Sequence, residues 1–471
     1  MKKNILYMLL IACCLQGCKD FLEEDPESFI APQNFYQSAA DAEAALNAAY
    51  DLLNNIGPDS RNFIIMGDVS SDDVFPLSNN NDRVQIDQFV HTPVNGVLRE
   101  TWRTMFQAIT RTNAVIERVP AISMPDDQKE RIVAEAHFLR ALYYFYLVRW
   151  YGPLPLITKE TNALADVEYP SRASVEEVYD LIIADLTAAE AGLPATLSNG
   201  HATKGSATGL LAKVYLTQKE WALAAQKAKE VMDMGIYDLW PTYAEAFKIE
   251  NENGKESLFE IQYVSGGIGQ GSNFMTYFAR ENSPVTGRGW GSFQPTLEVI
   301  DTLRTDPADT RFDVNLVQDP VDDNYYVDKY FDPDAKAAYE QDNNWKILRY
   351  ADVLLMYAEA LNEIAPDNPE AYTALNKVRR RAFEEDINAS APQPHDYANL
   401  SQSEFRRAVY GERRFELAFE GHRWFDLVRT GRLVSTMSAK GYSSVKPTHV
   451  YFPVPQDEVA LNPNLGQNEG Y

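Results

Sequence analysis

The residues best suited to chemistry in this sequence are aromatics set among small neighbours. Trp290 lies in Gly287-Arg288-Gly289-Trp290-Gly291-Ser292-Phe293-Gln294, beside side chains too small to bury an indole. An aromatic face left open to water suits stacking on the apolar face of a pyranose ring. The sugar hydroxyls then need directional partners such as Asp, Asn, Gln or Arg. Two segments offer them. Asn273, Tyr277, Phe278 and Arg280 follow the glycine-rich run Gly266-Gly267-Ile268-Gly269-Gln270-Gly271. Asp68, Asp72, Phe75 and Arg83 fall in a second irregular stretch, 57–96. Together with Trp290 these form the candidate ligand-binding set. The bland alternative for Trp290 is a plug beneath its own loop.

Other chemistries find less support. His91, His137, His201, His395, His422 and His449 lack a metal spacing such as H-E-x-x-H. His137 and His422 sit in packed helical blocks and read as hydrogen-bonded core residues. No G-x-S-x-G elbow is present. Gly267-x-Gly269-x-Gly271 lacks the dinucleotide spacing and a helix behind it. With 68 acidic residues, carboxylate pairs are too easily found to mark a glycosidase site. Asp72-Asp73 and the run from Asp319 to Asp334 offer oxygens for Ca²⁺, yet neither has a calcium-loop spacing, so both are expected to be solvated loops. No catalytic residue, metal site or cofactor is assigned.

The cysteines Cys13, Cys14 and Cys18 all lie at the N-terminus. Lys2-Lys3 and the apolar run Ile5 to Leu15 have the form of a secretory signal, too short for a membrane span of about 20 residues. Leu15-Gln16-Gly17-Cys18 resembles a bacterial lipobox, which implies cleavage before Cys18 and its lipidation; an ordinary cleaved signal is the alternative. Gln16 departs from the small residue usual at that place. The acidic run Lys19 to Asp25 resembles the export signal of surface lipoproteins, or else is a solvated linker. The net charge of -25 disfavours nucleic acid and anionic lipid as partners.

Helical periodicity must position these residues. Ala42, Leu46, Ala49 and Leu53 form one apolar stripe, and Leu98, Trp102, Met105 and Ile109 another. Ile132, Ala136, Leu139, Tyr143, Tyr146 and Trp150 form a third that stops at Gly152-Pro153. Trp102 and Trp150 are therefore expected in the core. Ser174-x-x-Glu177 and Ser401-x-x-Glu404 are capping boxes, the second opening a helix over about 401–430. Helix pairs are expected at about 207–235 and 346–384, the second turning at Pro366 to Pro369. Pairs of about 34 residues suggest tetratricopeptide-like units separated by insertions. The expected class is mainly α, a helical-repeat scaffold with long irregular insertions and a few short strands, among them Ser257 to Val264. The expected organisation is a signal at 1–17, an anchored linker at 18–37, a scaffold at 38–251 with its insertion at 57–96, a ligand-binding insertion at 252–345, and a C-terminal scaffold at 346–471.

Several blocks share one resemblance. Glu135 to Phe145 with Arg149-Trp150-Tyr151-Gly152-Pro153-Leu154-Pro155-Leu156 looks like the central block of the SusD/RagB nutrient-uptake lipoproteins. So do Lys346 to Ala360, Leu375-Asn376-Lys377-Val378-Arg379, Glu412 to Arg429, and the ending from Phe452-Pro453-Val454-Pro455 to Asn468. The resemblance implies a non-enzymatic protein of the outer membrane, lipid-anchored on the extracellular face. It implies an oligosaccharide or polysaccharide ligand and a role as lid over a SusC-like TonB-dependent transporter, with four tetratricopeptide-like units facing that partner. Peptide or another nutrient is the alternative cargo, and a helical-repeat adaptor that binds only protein is the alternative function. The charges of Glu412 to Arg429 are expected to form a buried or half-buried network, so no ligand residue is carried over from the shared motifs.

Overall fold

In the computed structural model the helices begin where the sequence offers caps. The structure describes residues 35–55, 61–77, 80–161, 169–196, 200–267, 269–283, 289–336 and 339–471. The apolar leader, Cys18 and the acidic run after it lie outside the described residues. Along the chain come α1 (Ala39–Asn54), the one-turn helix Arg61–Ile64 widening into a π turn at Ile65–Val69, β1 (Val74–Pro76), α2 (Asn81–Asp87), α3 (Gly96–Arg118) and α4 (Asp126–Tyr151). Next are α5 (Val175–Gly192), α6 (Lys204–Gln218), α7 (Trp221–Asp233), β2 (Ser257–Ile261), α8 (Phe274–Phe278), β3 (Phe293–Pro295), β4 (Leu316–Gln318), β5 (Tyr325–Val327) and β6 (Trp345–Arg349). The chain closes with α9 (Tyr350–Ile364), α10 (Pro369–Ala382), α11 (Gln402–Glu416), α12 (Arg423–Arg429) and shorter turns. Ser38, Ser174, Thr203 and Ser401 close capping boxes, so the first turns of α1, α5, α6 and α11 have their amides satisfied.

Consecutive helices pack on one another: α3 on α4, α4 on α5, α6 on α7, and α9 on α7, α10 and α11. Short links, such as the left-handed Lys219 between α6 and α7, fold these pairs into helical hairpins. This is the expected mainly helical scaffold. Every residue of α4 from Phe138 to Tyr151 is buried, as suits a helix surrounded by others. Two of its tyrosine hydroxyls are spent on neighbouring helix carbonyls, Tyr143 on Ala49 (2.8 Å) and Tyr151 on Leu98 (2.7 Å). Trp102 and Trp150 are core residues.

The two irregular stretches do not stand apart. β1 from the first pairs antiparallel with β3 from the second, placing Phe75 opposite Gln294. β2 pairs antiparallel with β6 through a bulge. Two expected boundaries move. Residues 346–349 belong to β6 and not to a helix, because both faces of that strand are buried. The helix expected over 401–430 breaks after Glu416, where Phe419 and Gly421 adopt positive φ (62° and 74°). The break lets two backbones meet: a Cβ on Gly67 would lie 2.5 Å from the Gly421 carbonyl oxygen.

The charges of Glu412 to Arg429 are buried. Arg349 donates from Nε to Glu420 (2.7 Å), from Nη1 to Glu256 and Glu416 (2.8 and 2.9 Å), and from Nη2 to Glu420 and the Glu416 carbonyl (2.8 and 2.9 Å). Arg381 also bonds Glu256 and Glu416. Lys329 reaches Glu420 (2.7 Å). A second cluster joins Asp352 to Lys213 (2.9 Å) and Arg413 (2.6 Å). Such ions tolerate burial only while every partner remains. Glu416→Ala should therefore cost about 3–5 kcal/mol of unfolding free energy, read by urea denaturation. A loss below about 1 kcal/mol would show that the network is not structural.

Candidate ligand-binding site

The loop carrying Trp290 is laid along the end of α8. The amides of Trp290, Gly291 and Ser292 donate to the carbonyls of Thr276 (2.7 Å), Ala279 (2.8 Å) and Tyr277 (2.8 Å). Gly289 is required there, since a Cβ would collide with the Ala279 carbonyl. The indole meets the Tyr277 ring edge-on, with centroids 5.0 Å apart, and stays 47% exposed. It does not plug its own loop.

A second ring completes an open platform. Tyr339 stacks on Trp290 with centroids 5.5 Å apart and planes at 18°, and is 38% exposed. Its φ of 64° is costly for a tyrosine, so the surroundings must hold it. They do so through the next residues. The amides of Gly267 and Gly269 donate to the Glu340 carboxylate (2.9 and 3.3 Å). Ser272 and Gln341 exchange backbone hydrogen bonds (2.8 and 2.9 Å). The glycine-rich run thus cradles an anion, and that anion is a side chain of this protein.

Beneath the platform lie two arginines. The Arg83 guanidinium sits 5.7 Å from the Tyr277 ring centroid and 5.2 Å from that of Phe293. Arg61 sits 5.9 Å from the same tyrosine. Tyr277 is therefore the shared wall between both cations and the indole.

The remaining candidates are placed differently. Tyr277, only 3% exposed, and Phe278 are buried in α8, because one helical turn there points its aromatics into the core. Phe75 is half-buried on β1. Asn273 is partly exposed, with a buried Oδ1 that has no partner among the described residues. Arg280 forks onto Asp319 (3.1 and 3.2 Å), which also takes the Ser283 hydroxyl. Asp72 and Asp73 are not solvated. Asp72 forks onto Arg423 (2.7 and 2.8 Å), and Asp73 takes Arg414 (2.7 Å). Burial opposes ionisation of Asp72, but the Arg423 hydrogen bonds and the Arg423, Arg414 and Lys440 charges outweigh it and hold its pKa below the usual range. Asp68 is fully buried and accepts from the Gly421 amide (2.9 Å). Asp68 and Asp72 are thus tied into the scaffold. Tyr339 and Arg61 stand beside Trp290 and Tyr277 without a signal in the sequence. Tyr339 follows no turn motif that would announce its conformation, and Arg61 shows its relevance only once α8 is placed against it.

Among the described residues no group of three or more His, Cys, Asp or Glu could hold a metal ion, and no helix is long and apolar enough to cross a membrane. Two sequence profiles match the chain: "Starch-binding associating with outer membrane" over residues 20–216 and "SusD family" over 315–471. The SusD-like protein P2 of Formosa agariphila is 29% identical across the whole of both chains. The chain is SusD-like. Members of the SusD family bind carbohydrate and are not enzymes. The starch-binding protein SusD of Bacteroides thetaiotaomicron is 23% identical over 77% of this chain and 76% of its own. A laminarin-binding SusD-like protein of known structure superposes with a TM-score of 0.79 at 27% identity, covering 93% of this chain and 100% of that one. A SusD homologue from B. thetaiotaomicron superposes with a TM-score of 0.82 at 26% identity, covering 93% and 98%. The helical scaffold described above is thus that of SusD-like proteins.

Asp68 makes one part of this SusD scaffold sensitive to pH. Burial, reinforced by the charge of Asp73, raises its pKa well above 3.8, against the opposing pull of the Gly421 amide. A raised carboxyl pKa gives stability that is full below the unfolded value and is lost as pH rises towards the folded one. Asp68→Asn keeps an acceptor for the Gly421 amide and removes that loss. Its melting temperature should rise relative to the parent at pH 8 and converge with it towards pH 4. A difference independent of pH would contradict the assignment.

Proposed function

We propose that this SusD-like protein captures oligosaccharide or polysaccharide chains on the Trp290–Tyr339 platform at the cell surface. The observation that carries this reading is a pair of stacked, near-parallel and half-exposed aromatic rings whose backbones are fixed by hydrogen bonds. Rigid, open rings of this kind meet the flat faces of consecutive sugars at little entropic cost. The laminarin-binding relative and the starch-binding description of the matching profile support a glycan as cargo. Asn273 lies one residue before α8 and supplies a polar partner for sugar hydroxyls.

The lipobox-like Leu15-Gln16-Gly17-Cys18 supports anchoring through acylated Cys18, and the acidic run after it supports display on the extracellular face of the outer membrane. In this reading the protein is the lid of a SusC-like TonB-dependent transporter. The platform loads the chain, and the helical scaffold meets the transporter.

Affinity gel electrophoresis across a panel of neutral and charged polysaccharides tests the platform. Trp290→Ala and Tyr339→Ala should each weaken retardation by about tenfold, as expected for losing one stacked ring together with its buried area. Full retention of glycan binding in both variants would remove the platform from the binding site.

A further inference from the structure

Arg83 is a largely buried cation without an acceptor among the described residues. The residue is 8% exposed, and its guanidinium lies over the Tyr277 and Phe293 rings. Among the described residues, its guanidinium donates no hydrogen bond and has no carboxylate within 4.0 Å. A guanidinium carries five N–H donors, and those of Arg83 are met by no described residue, which leaves them to water or to a ligand. Most other buried arginines of this chain carry a counter-charge, Arg149 being another exception. Arg349, Arg381, Arg413 and Arg423 are all paired with carboxylates.

The neighbour of Arg83 is a second cation. Arg61 faces the same Tyr277 ring, its side chain 17% exposed, and its Nε is also without a partner among the described residues. Its one carboxylate, Glu100, is 3.4 Å away and 41% exposed, a weak tie. Burial and the Arg61 charge both lower the Arg83 pKa, as expected for a cation short of counter-charge. Sugar hydroxyls could accept hydrogen bonds from Arg83 but would leave the repulsion between the two guanidiniums in place. A carboxylate or sulfate group answers both needs, because it offers two acceptor oxygens to a planar fork and cancels charge. In a protein of net charge -25, two under-neutralised arginines beneath the aromatic platform are an unusual investment.

We propose that the platform recognises an anionic glycan, with Arg83, supported by Arg61, taking the carboxylate of a uronic acid or the sulfate ester of a sugar stacked on Trp290. The inference rests on the platform reading and adds the class of its ligand. Binding then divides into two contributions. The rings supply stacking that any hexose satisfies, and the arginines supply selectivity for charge and a dependence on salt.

Isothermal titration with three probes separates the contributions: tetragalacturonate for the carboxylate, a sulfated carrageenan tetrasaccharide for the sulfate, and neutral laminaritetraose. The wild-type protein should bind at least one anionic probe more tightly than the neutral one, and rising NaCl should weaken only the anionic binding. Arg83→Met should weaken the anionic probe by about tenfold or more, the worth of a charge-assisted bidentate contact, and leave any neutral binding in place. Arg61→Gln, at a more open position, should reduce the same affinity and its salt dependence, which covers the case of Arg83→Met failing to fold. Which anionic probe responds identifies the substituent. Absence of binding by both anionic probes, or equal loss for charged and neutral probes in the arginine variants, overturns the proposal. Trp290→Ala in the same titrations separates the two readings: loss there with no effect in the arginine variants leaves a neutral platform, and no loss there removes the platform itself.

Discussion

The demand of buried Arg349 for five acceptors is the constraint on which the rest of this structure hangs. A guanidinium removed from water holds its place only when every N–H has a partner. Glu256, Glu416, Glu420 and the Glu416 carbonyl supply them, so three distant parts of the chain meet at this side chain. Glu256 precedes β2, Arg349 ends β6, and Glu416 ends α11. Once those are fixed, the turn after α11 cannot continue as helix, and Gly421 is brought against Gly67. From there the ties run outward. Arg423 forks onto Asp72, Arg414 takes Asp73, and Thr296 bonds the backbone carbonyls of both aspartates (2.8 and 2.9 Å). Those bonds seat β1 beside β3, and β3 leads directly back to Trp290.

The Trp290 and Tyr339 rings therefore stand on loops without being loose. Loops can carry recognition when a rigid frame fixes their ends. Here the frame reaches into the loops as well. Trp290 is held by the carbonyls of α8, and Tyr339 by the glycine amides that grip Glu340. The left-handed Tyr339 is the local cost of stacking its ring on Trp290, a conformation that persists because its neighbours over-determine it. The expected insertion at 252–345 is thus a part of the scaffold that happens to face outward. The Phe274 and Phe278 rings of α8 and Phe293 of β3 belong to the same core as α4.

Much of the scaffold is legible in the sequence because helix stripes and caps are local signals. Ser174-x-x-Glu177 and Asn368-Pro369 mark helix starts that any context would respect. Trp290 is legible for a similar reason, since small neighbours cannot cover an indole. What the sequence hides is long-range pairing. Nothing near Asp72 shows that Arg423, 351 residues away, neutralises it, so an acidic loop reads as solvated when it is buried. Tyr277 and Phe278 look like loop aromatics until one turn of helix turns them inward. The break at Phe419 and Gly421 is invisible in a segment of good helical periodicity, because its cause is the approach of another backbone.

The central claim is that sugars meet the protein on the Trp290–Tyr339 stack. Hydroxyl-radical footprinting, with and without a bound glycan, reads this at single side chains in the unmodified protein. The account predicts that oxidation of Trp290 and Tyr339 falls together on binding, while the buried rings of α8 stay unreactive in both states. Protection confined to other exposed aromatics such as Tyr169, with Trp290 and Tyr339 oxidised as before, would contradict it.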